Sequence, residues 1–144
     1  MTYREAINLG EKVLNMADVA DAKIDAWLLL EMVCKIDRSF YYLHMEDEVA
    51  EEQLSEYEIA LRKRAEHVPL QYIVGEAEFM GLKFKVNSNV LIPRQDTETL
   101  VEEALKVVKP GMKVLDMCTG SGCIIVSIVH NVPEVCLLYT SDAA

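Results

Sequence analysis

The segment Lys113-Val-Leu-Asp-Met-Cys-Thr-Gly-Ser-Gly-Cys-Ile-Ile-Val-Ser-Ile-Val129 constrains the fold more than any other. Lys113 to Asp116 reads as a short buried strand. Two glycines follow in alternation, and Gly122 to His130 then carries the apolar spacing of a helix that covers a sheet. A strand that enters a glycine turn and leaves as a helix opens a doubly wound α/β unit. Upstream, Asp96 or Thr97 is suited to cap a helix reaching about Val108, with Leu100, Val101, Ala104 and Leu105 facing inward. Pro110-Gly111 makes a turn, Pro133 ends the later helix, and Val135 onward reads as extended.

The same turn limits what can bind. Gly120 and Gly122 let backbone approach a ligand closely, and the helix that follows offers unpaired N–H groups at its start. That arrangement suits a phosphate or a carboxylate. A dinucleotide fingerprint needs a third glycine where this chain has Ile125, and no lysine follows Gly122 to make a P-loop. Asp116-x-Cys118-x-Gly120-x-Gly122 instead fits the acid followed by alternating glycines of S-adenosylmethionine-dependent methyltransferases, with Cys118 in place of the first glycine. A turn that merely joins strand to helix is the alternative reading.

The first half of the chain has a different texture. Thr2-Tyr-Arg-Glu5 reads as a capping box, followed by Ala6, Ile7, Gly10, Val13, Leu14 and Ala17 at helical spacing. A second helix is predicted over Asp21 to Lys35, burying Ala26, Leu29, Leu30 and Val33. A short third one begins at Asp37 or Ser39 and carries Phe40, Tyr41 and Leu43. A longer one runs from Asp47 to about His67 with Val49, Leu54, Tyr57 and Leu61. Pro69 marks a change. Leu82, Phe84 and Val86 alternate, Asn87-Ser-Asn89 is a turn, and Val90-Leu-Ile92 reads as a second strand, so a β-hairpin is predicted. The expected organisation is a helical domain over 1–68, a β-hairpin linker over 69–93, and the start of a Rossmann-like α/β domain over 94–144.

Composition excludes several classes. The net charge of −10 shows no basic footprint for nucleic acid, so no direct nucleic-acid partner is expected. Cys34, Cys118, Cys123 and Cys136 make no Cys-x-x-Cys pair and have no histidine at ligand spacing, so neither a metal site nor a disulfide framework is expected. No apolar run approaches the ~20 residues that span a bilayer, and the start lacks a secretory pattern. No membrane association, a cytoplasmic location and a monomer are the defaults. Met45 to Glu58 holds seven acids and no lysine or arginine. It reads as a solvated helix whose early acids suit the N-terminal dipole, or as a docking face for a basic partner.

Read with its flanks, the glycine loop resembles one family. The stretches that carry the resemblance are Arg64-Ala-Glu-His-Val-Pro-Leu-Gln-Tyr-Ile-Val-Gly75, Glu78-Phe-Met-Gly-Leu-Lys-Phe-Lys-Val86, Val90-Leu-Ile-Pro-Arg-Gln-Asp-Thr-Glu98, Leu100-Val-Glu102 and Leu115-Asp-Met-Cys-Thr-Gly-Ser-Gly-Cys-Ile124. They are similar to the bacterial peptide-chain release factor glutamine methyltransferases, the HemK or PrmC family, over essentially residues 1 to 135. The resemblance implies S-adenosylmethionine as cofactor and release factors as partners in translation termination. Methyl transfer would go to the glutamine side-chain amide of their Gly-Gly-Gln loop. Cys118, Thr119, Gly120, Ser121, Gly122 and Cys123 would wrap the methionine end of the cofactor, with Asp116 supporting the loop. Pro93, Arg94, Thr97 and Glu98 would form the lip of the same pocket, unless Arg94 is simply an ion-pair partner of Asp96 or Glu98. The helical domain would help engage the release factor.

Two departures matter. The family's Asn-Pro-Pro-Tyr motif, which positions the amide nitrogen, is absent: Asn8, Asn15, Asn87, Asn89 and Asn131 are the asparagines, and none precedes Pro-Pro-Tyr. The chain is therefore expected to be C-terminally truncated and inactive, with no catalytic residue of its own. In addition, Tyr139 stands where the family pattern expects an acid for the ribose hydroxyls, with Asp142 a substitute only if the strand shifts. Cys136 to Ala144 resembles translated adaptor sequence and reads as non-native. A loose second half is expected, because the apolar helix after the loop has few strands to cover. A nucleic-acid amino-methyltransferase and a non-catalytic helical protein-binding module are the competing readings, and a dehydrogenase is disfavoured by Ile125.

Overall fold

The computed structural model describes residues 1–141. The chain divides into two compact units between Val74 and Gly75, and its class is α/β: a helical unit followed by the opening of a parallel-sheet unit.

The first unit holds α1 (Tyr3–Met16), α2 (Ala22–Cys34), α3 (Arg38–His44), α4 (Glu51–Ala65) and α5 (Leu70–Val74). The predicted capping box is present: Glu5 N–H donates to Thr2 Oγ1 at 3.2 Å and Thr2 N–H donates to Glu5 Oε2 at 2.9 Å. The apolar stripe of α1 meets α2 and α4 in one core containing Ala6, Leu14, Ala26, Leu29, Leu30, Tyr57 and Leu61. Burying each of its leucines stabilises the unit by ~1.5–3 kcal/mol. Lys35 ends α2 in the left-handed region at φ 53°, and Asp37 caps α3 by accepting from Phe40 N–H at 2.7 Å. The fourth helix starts later than Asp47. Residues 45–47 turn instead, Asp47 N–H donating to His44 O at 2.9 Å, and Glu48 forms a bridge to Thr2, with Tyr3 N–H donating to Asp47 O at 3.2 Å and Val49 N–H to Met1 O at 3.0 Å. Burial of Val49 holds that segment against the core.

Residues 69–93, expected as one hairpin linker, are split. Leu70–Val74 is a short helix of the first unit. The hairpin joins β1 (Glu76–Phe79) to β2 (Leu82–Lys85), antiparallel, with Phe79 opposite Leu82. The predicted strand at Val90-Leu-Ile92 does not form; Asn87 closes a turn there, accepting from Asn89 N–H at 2.9 Å. The hairpin pairs upstream because Met80-Gly81, both at positive φ (50° and 70°), gives the tight two-residue loop that antiparallel strands favour.

The second unit continues with α6 (Asp96–Val107), β3 (Lys113–Asp116), α7 (Cys123–Asn131) and β4 (Cys136–Tyr139). β3 and β4 pair in parallel, Leu115 opposite Leu138 and Asp116 opposite Tyr139. Phe79, Phe84, Val101, Cys123 and Ile128 form the core, so the hairpin shares its apolar contacts with α6 and α7. Two details differ from expectation. Gln95, not Asp96 or Thr97, occupies the cap position of α6, without a side-chain cap bond. Leu100 points outward while Val101 is fully buried, because the buried stripe of α6 is narrower than its sequence of apolar residues.

Candidate functional site

The glycine loop, Met117 to Gly122, leaves the C-terminal end of β3, beside the end of the parallel strand β4. Ligands of open α/β sheets bind outside the carboxyl ends of the strands, which is where this loop lies. Its shape is set by short-range bonds. Thr119 Oγ1 donates to Asp116 Oδ2 at 2.8 Å, and Gly122 N–H donates to Thr119 O at 2.8 Å. The carboxylate of Asp116 is thus occupied in folding the turn back on its own strand.

A second set of bonds comes from the far strand. Thr140 accepts from Cys118 N–H through Oγ1 at 2.9 Å and from Thr119 N–H through its carbonyl at 2.8 Å, while its own N–H donates to Asp116 O at 3.0 Å. Sequence reasoning missed Thr140 because nothing local marks a residue that lies 22 positions away in the chain. Tyr139, the residue read at the position of the ribose acid, sits opposite Asp116 at the end of β4 and is exposed. Asp142 lies outside the described residues.

The backbone of the loop is unusual at Cys118, which holds φ 63° although it is not glycine. That conformation costs a non-glycine residue roughly 1–2 kcal/mol, which explains physically why a glycine suits the position. Gly122 is the cap residue of α7 at φ 79° and brings no side chain to it. The first-turn N–H groups of Cys123, Ile124 and Ile125 thus have no side-chain cap and carry the positive end of the helix dipole. A methyl group added at Gly120 would meet nothing within 4 Å; the turn faces open space. An uncapped helix start under an open glycine turn can hold a carboxylate or a phosphate.

The other predicted site residues are placed as follows. Ser121 is half-buried in the turn, and the thiol of Cys123 is buried in the apolar core, leaving its backbone as the part available to a ligand. Pro93 and Arg94 lie in the irregular segment before α6, Pro93 half-buried and Arg94 exposed. Thr97 and Glu98 are in the first turn of α6, their N–H groups donating to Arg94 O at 3.1 Å and Gln95 O at 3.0 Å. The Glu98 carboxylate accepts from Met80 N–H at 2.7 Å. Among the described residues no hydrogen bond or ion pair joins Pro93, Arg94, Thr97 or Glu98 to the glycine loop, and Arg94 pairs with neither Asp96 nor Glu98. The loop residues are therefore brought together by polar bonds, whereas the lip residues share only the unit.

Elsewhere, the acids of the 45–58 segment are partly used at home. Glu46 pairs with Arg4 at 2.5 Å and Asp47 with His44 at 2.7 Å, while Glu51 and Glu52 begin α4. Among the described residues no group of three or more His, Cys, Asp or Glu side chains could hold a metal ion. No described helix is long and apolar enough to cross a membrane.

Comparison with known proteins bears on both units. Residues 5–75 match the model of the PrmC N-terminal domain. The chain is 37% identical over 144 residues to a release factor glutamine methyltransferase of Moorella thermoacetica, covering 99% of the chain and 50% of that protein. It is 42% identical over 137 residues to one of Clostridium acetobutylicum, covering 94% and 48%. A third, of Geobacter sulfurreducens, is 37% identical over 133 residues, covering 92% and 47%. The chain spans about half the length of the curated relatives it matches.

Proposed function

The chain belongs to the family of the release factor glutamine methyltransferases, and on that premise we propose that it is the cofactor-facing front of such an enzyme. In this reading the glycine loop takes S-adenosylmethionine, and the whole enzyme methylates the glutamine side-chain amide in the Gly-Gly-Gln loop of a release factor. The observation that carries the cofactor assignment is the uncapped start of α7 at Gly122, under a turn that is open at Gly120.

The residues present fit the methionine end of that cofactor. Its carboxylate would be held by the first-turn N–H groups of Cys123 and its neighbours, to which Gly122 brings no side-chain cap, favoured by the helix dipole. Asp116 and Thr119 keep the turn closed against β3 so that these groups stay aligned. The ribose end is met less well, since Tyr139 offers a single phenol where two hydroxyls call for a carboxylate. S-adenosylmethionine supplies an electrophilic methyl on its sulfonium. Pro93, Arg94 and Thr97 remain candidates for the far wall of the pocket, with Glu98, whose carboxylate accepts from Met80 N–H, supporting them from behind, and the helical unit for release-factor contact, in a cytoplasmic setting.

No Asn-Pro-Pro-Tyr occurs in the 144 residues. A glutamine amide nitrogen is a poor nucleophile and needs acceptors to aim it, which is catalysis by positioning. The proposal therefore has two parts, cofactor binding by the glycine loop and methyl transfer by the whole enzyme. Equilibrium dialysis with labelled S-adenosylmethionine tests the first half: saturable binding that Gly122→Val abolishes is expected, and equal retention by the two proteins would refute the site. Supplying the polypeptide of the complete locus with a purified release factor tests the second. Label on the release-factor glutamine supports the reading, and label on DNA or RNA instead overturns it in favour of a nucleic-acid amino-methyltransferase.

A further inference from the structure

The hairpin turn contains a donor that its own strands cannot use. Phe79 and Leu82 are register partners, so the N–H of Met80, inside the two-residue loop, has no ladder acceptor. Glu98 supplies one: its Oε1 accepts from Met80 N–H at 2.7 Å, across 18 positions of chain. The place of Glu98 in α6 makes this bond informative. With Gln95 at the cap, Glu98 is the third helical residue, from which a carboxylate ordinarily reaches back to cap its own helix. Here α6 has no side-chain cap bond from Gln95, and the carboxylate is turned onto the hairpin instead. Beneath it Phe79 and Phe84 meet edge to face at 6.3 Å and pack with Val101 of the same helix. A polar bond and an apolar contact thus hold one hairpin to one helix.

We infer that Glu98 is a positioning residue: its carboxylate locks the β1–β2 turn to the first turn of α6 and so fixes the segment that carries Pro93, Arg94 and Thr97. The functional consequence rests on the cofactor reading proposed above; the lock itself does not. A carboxylate that touched the cofactor would act through its charge, whereas a lock acts through reach and hydrogen-bond acceptance.

Three variants of the full 144-residue chain separate these roles, each followed by hydrogen exchange at the Met80 amide and by dialysis with labelled S-adenosylmethionine. Glu98→Gln keeps an acceptor oxygen at the same reach, and is expected to hold both exchange and affinity within about 2-fold of the native chain. Glu98→Ala removes the acceptor and is expected to speed Met80 exchange about 10-fold, with a several-fold loss of affinity. Glu98→Asp keeps the charge but shortens the side chain, and is expected to behave like Glu98→Ala; it decides the matter if the alanine variant does not fold. Weakened binding in Glu98→Gln with Met80 exchange unchanged in all three would overturn the inference. A native chain that binds no S-adenosylmethionine would refute the cofactor reading alone, while Met80 exchange would still decide the lock.

Discussion

A methyl group at position 10 would lie 2.1 Å from the Tyr57 hydroxyl oxygen and 3.1 Å from Ala26 Cβ. Glycine in mid-helix weakens α1 by roughly 0.5–1 kcal/mol relative to alanine, so its presence there reflects the closeness of α2 and α4. Gly10→Ala is expected to destabilise the helical unit by ~1–3 kcal/mol, and by less in a Tyr57→Phe background, where the clashing oxygen is gone. Urea midpoints of the single and double variants check this; a higher midpoint for Gly10→Ala would refute it. The same hydroxyl donates to Ala26 O at 3.1 Å. Burial, with Cys34 second, pushes the Tyr57 phenol above its ordinary value of 10.0. Because the folded-state value is raised, the associated stability is fully present below about pH 10 and is lost as pH rises further. Far-UV circular dichroism should show alkaline unfolding that starts above that pH and is delayed in Tyr57→Phe. The sequence showed Gly10 only as one more residue on a stripe, since a stripe does not reveal how near the next helix comes.

Between elements, the informative contact is Asp25 of α2 with Arg64 of α4 at 2.6 Å, Arg64 also donating to Val68 O at 3.2 Å. The Asp25 carboxylate is only 7% exposed. Removing Arg64 leaves a buried charge without a partner, so Arg64→Ala is expected to destabilise by ~3–5 kcal/mol. Asp25→Asn should be milder, because the 19% exposed guanidinium keeps Val68 and water. Chemical denaturation of both variants tests the order, and equal losses would count against it. Helices α1 to α3 were legible because caps and stripes are local signals: Thr2, Glu5 and Asp37 act as their positions predict, whereas α4 has no side-chain cap and begins at Glu51 rather than Asp47. The hairpin was misread for a local reason too. Glu76-Ala-Glu-Phe and Leu-Phe alternation flank Met80-Gly81, a two-residue turn signal, but the β-branched Val90 and Ile92 suggested a partner on the wrong side. In the glycine loop, Asp116, Gly120 and Gly122 were readable from spacing, whereas Thr140 and the Glu98–Met80 bond were not, since both depend on contacts made only after folding.

At the scale of the molecule the two units differ in how completely each buries its apolar surface. The helical unit closes its core on Leu14, Leu29, Leu30 and Tyr57, all nearly inaccessible. In the second unit Leu115 and Leu138 are opposite one another across the parallel pair and remain 56% and 53% exposed. Val114 and Leu137 on the other face are half-buried, toward the helix side. A two-stranded parallel pair covered on one face lacks the second layer that such sheets require. Its ladder should therefore open at a much smaller free energy than the helices of the first unit do. Hydrogen exchange on the intact chain is expected to show protection in α1, α2 and α4 exceeding that of β3 and β4 by at least about 100-fold. The amides of 110–130 should likewise be unevenly and weakly protected. Uniform protection from 110 to 130 at the level of α1 would contradict this, and would mean that α7 and the hairpin core alone suffice to hold the sheet. The proposed binding of S-adenosylmethionine gives the complementary test: a ligand that engages only the folded loop must raise the opening free energy at Cys118 to Cys123 in proportion to the logarithm of one plus its free concentration over its Kd. The increase should be confined to the second unit, leaving α1 to α5 unchanged.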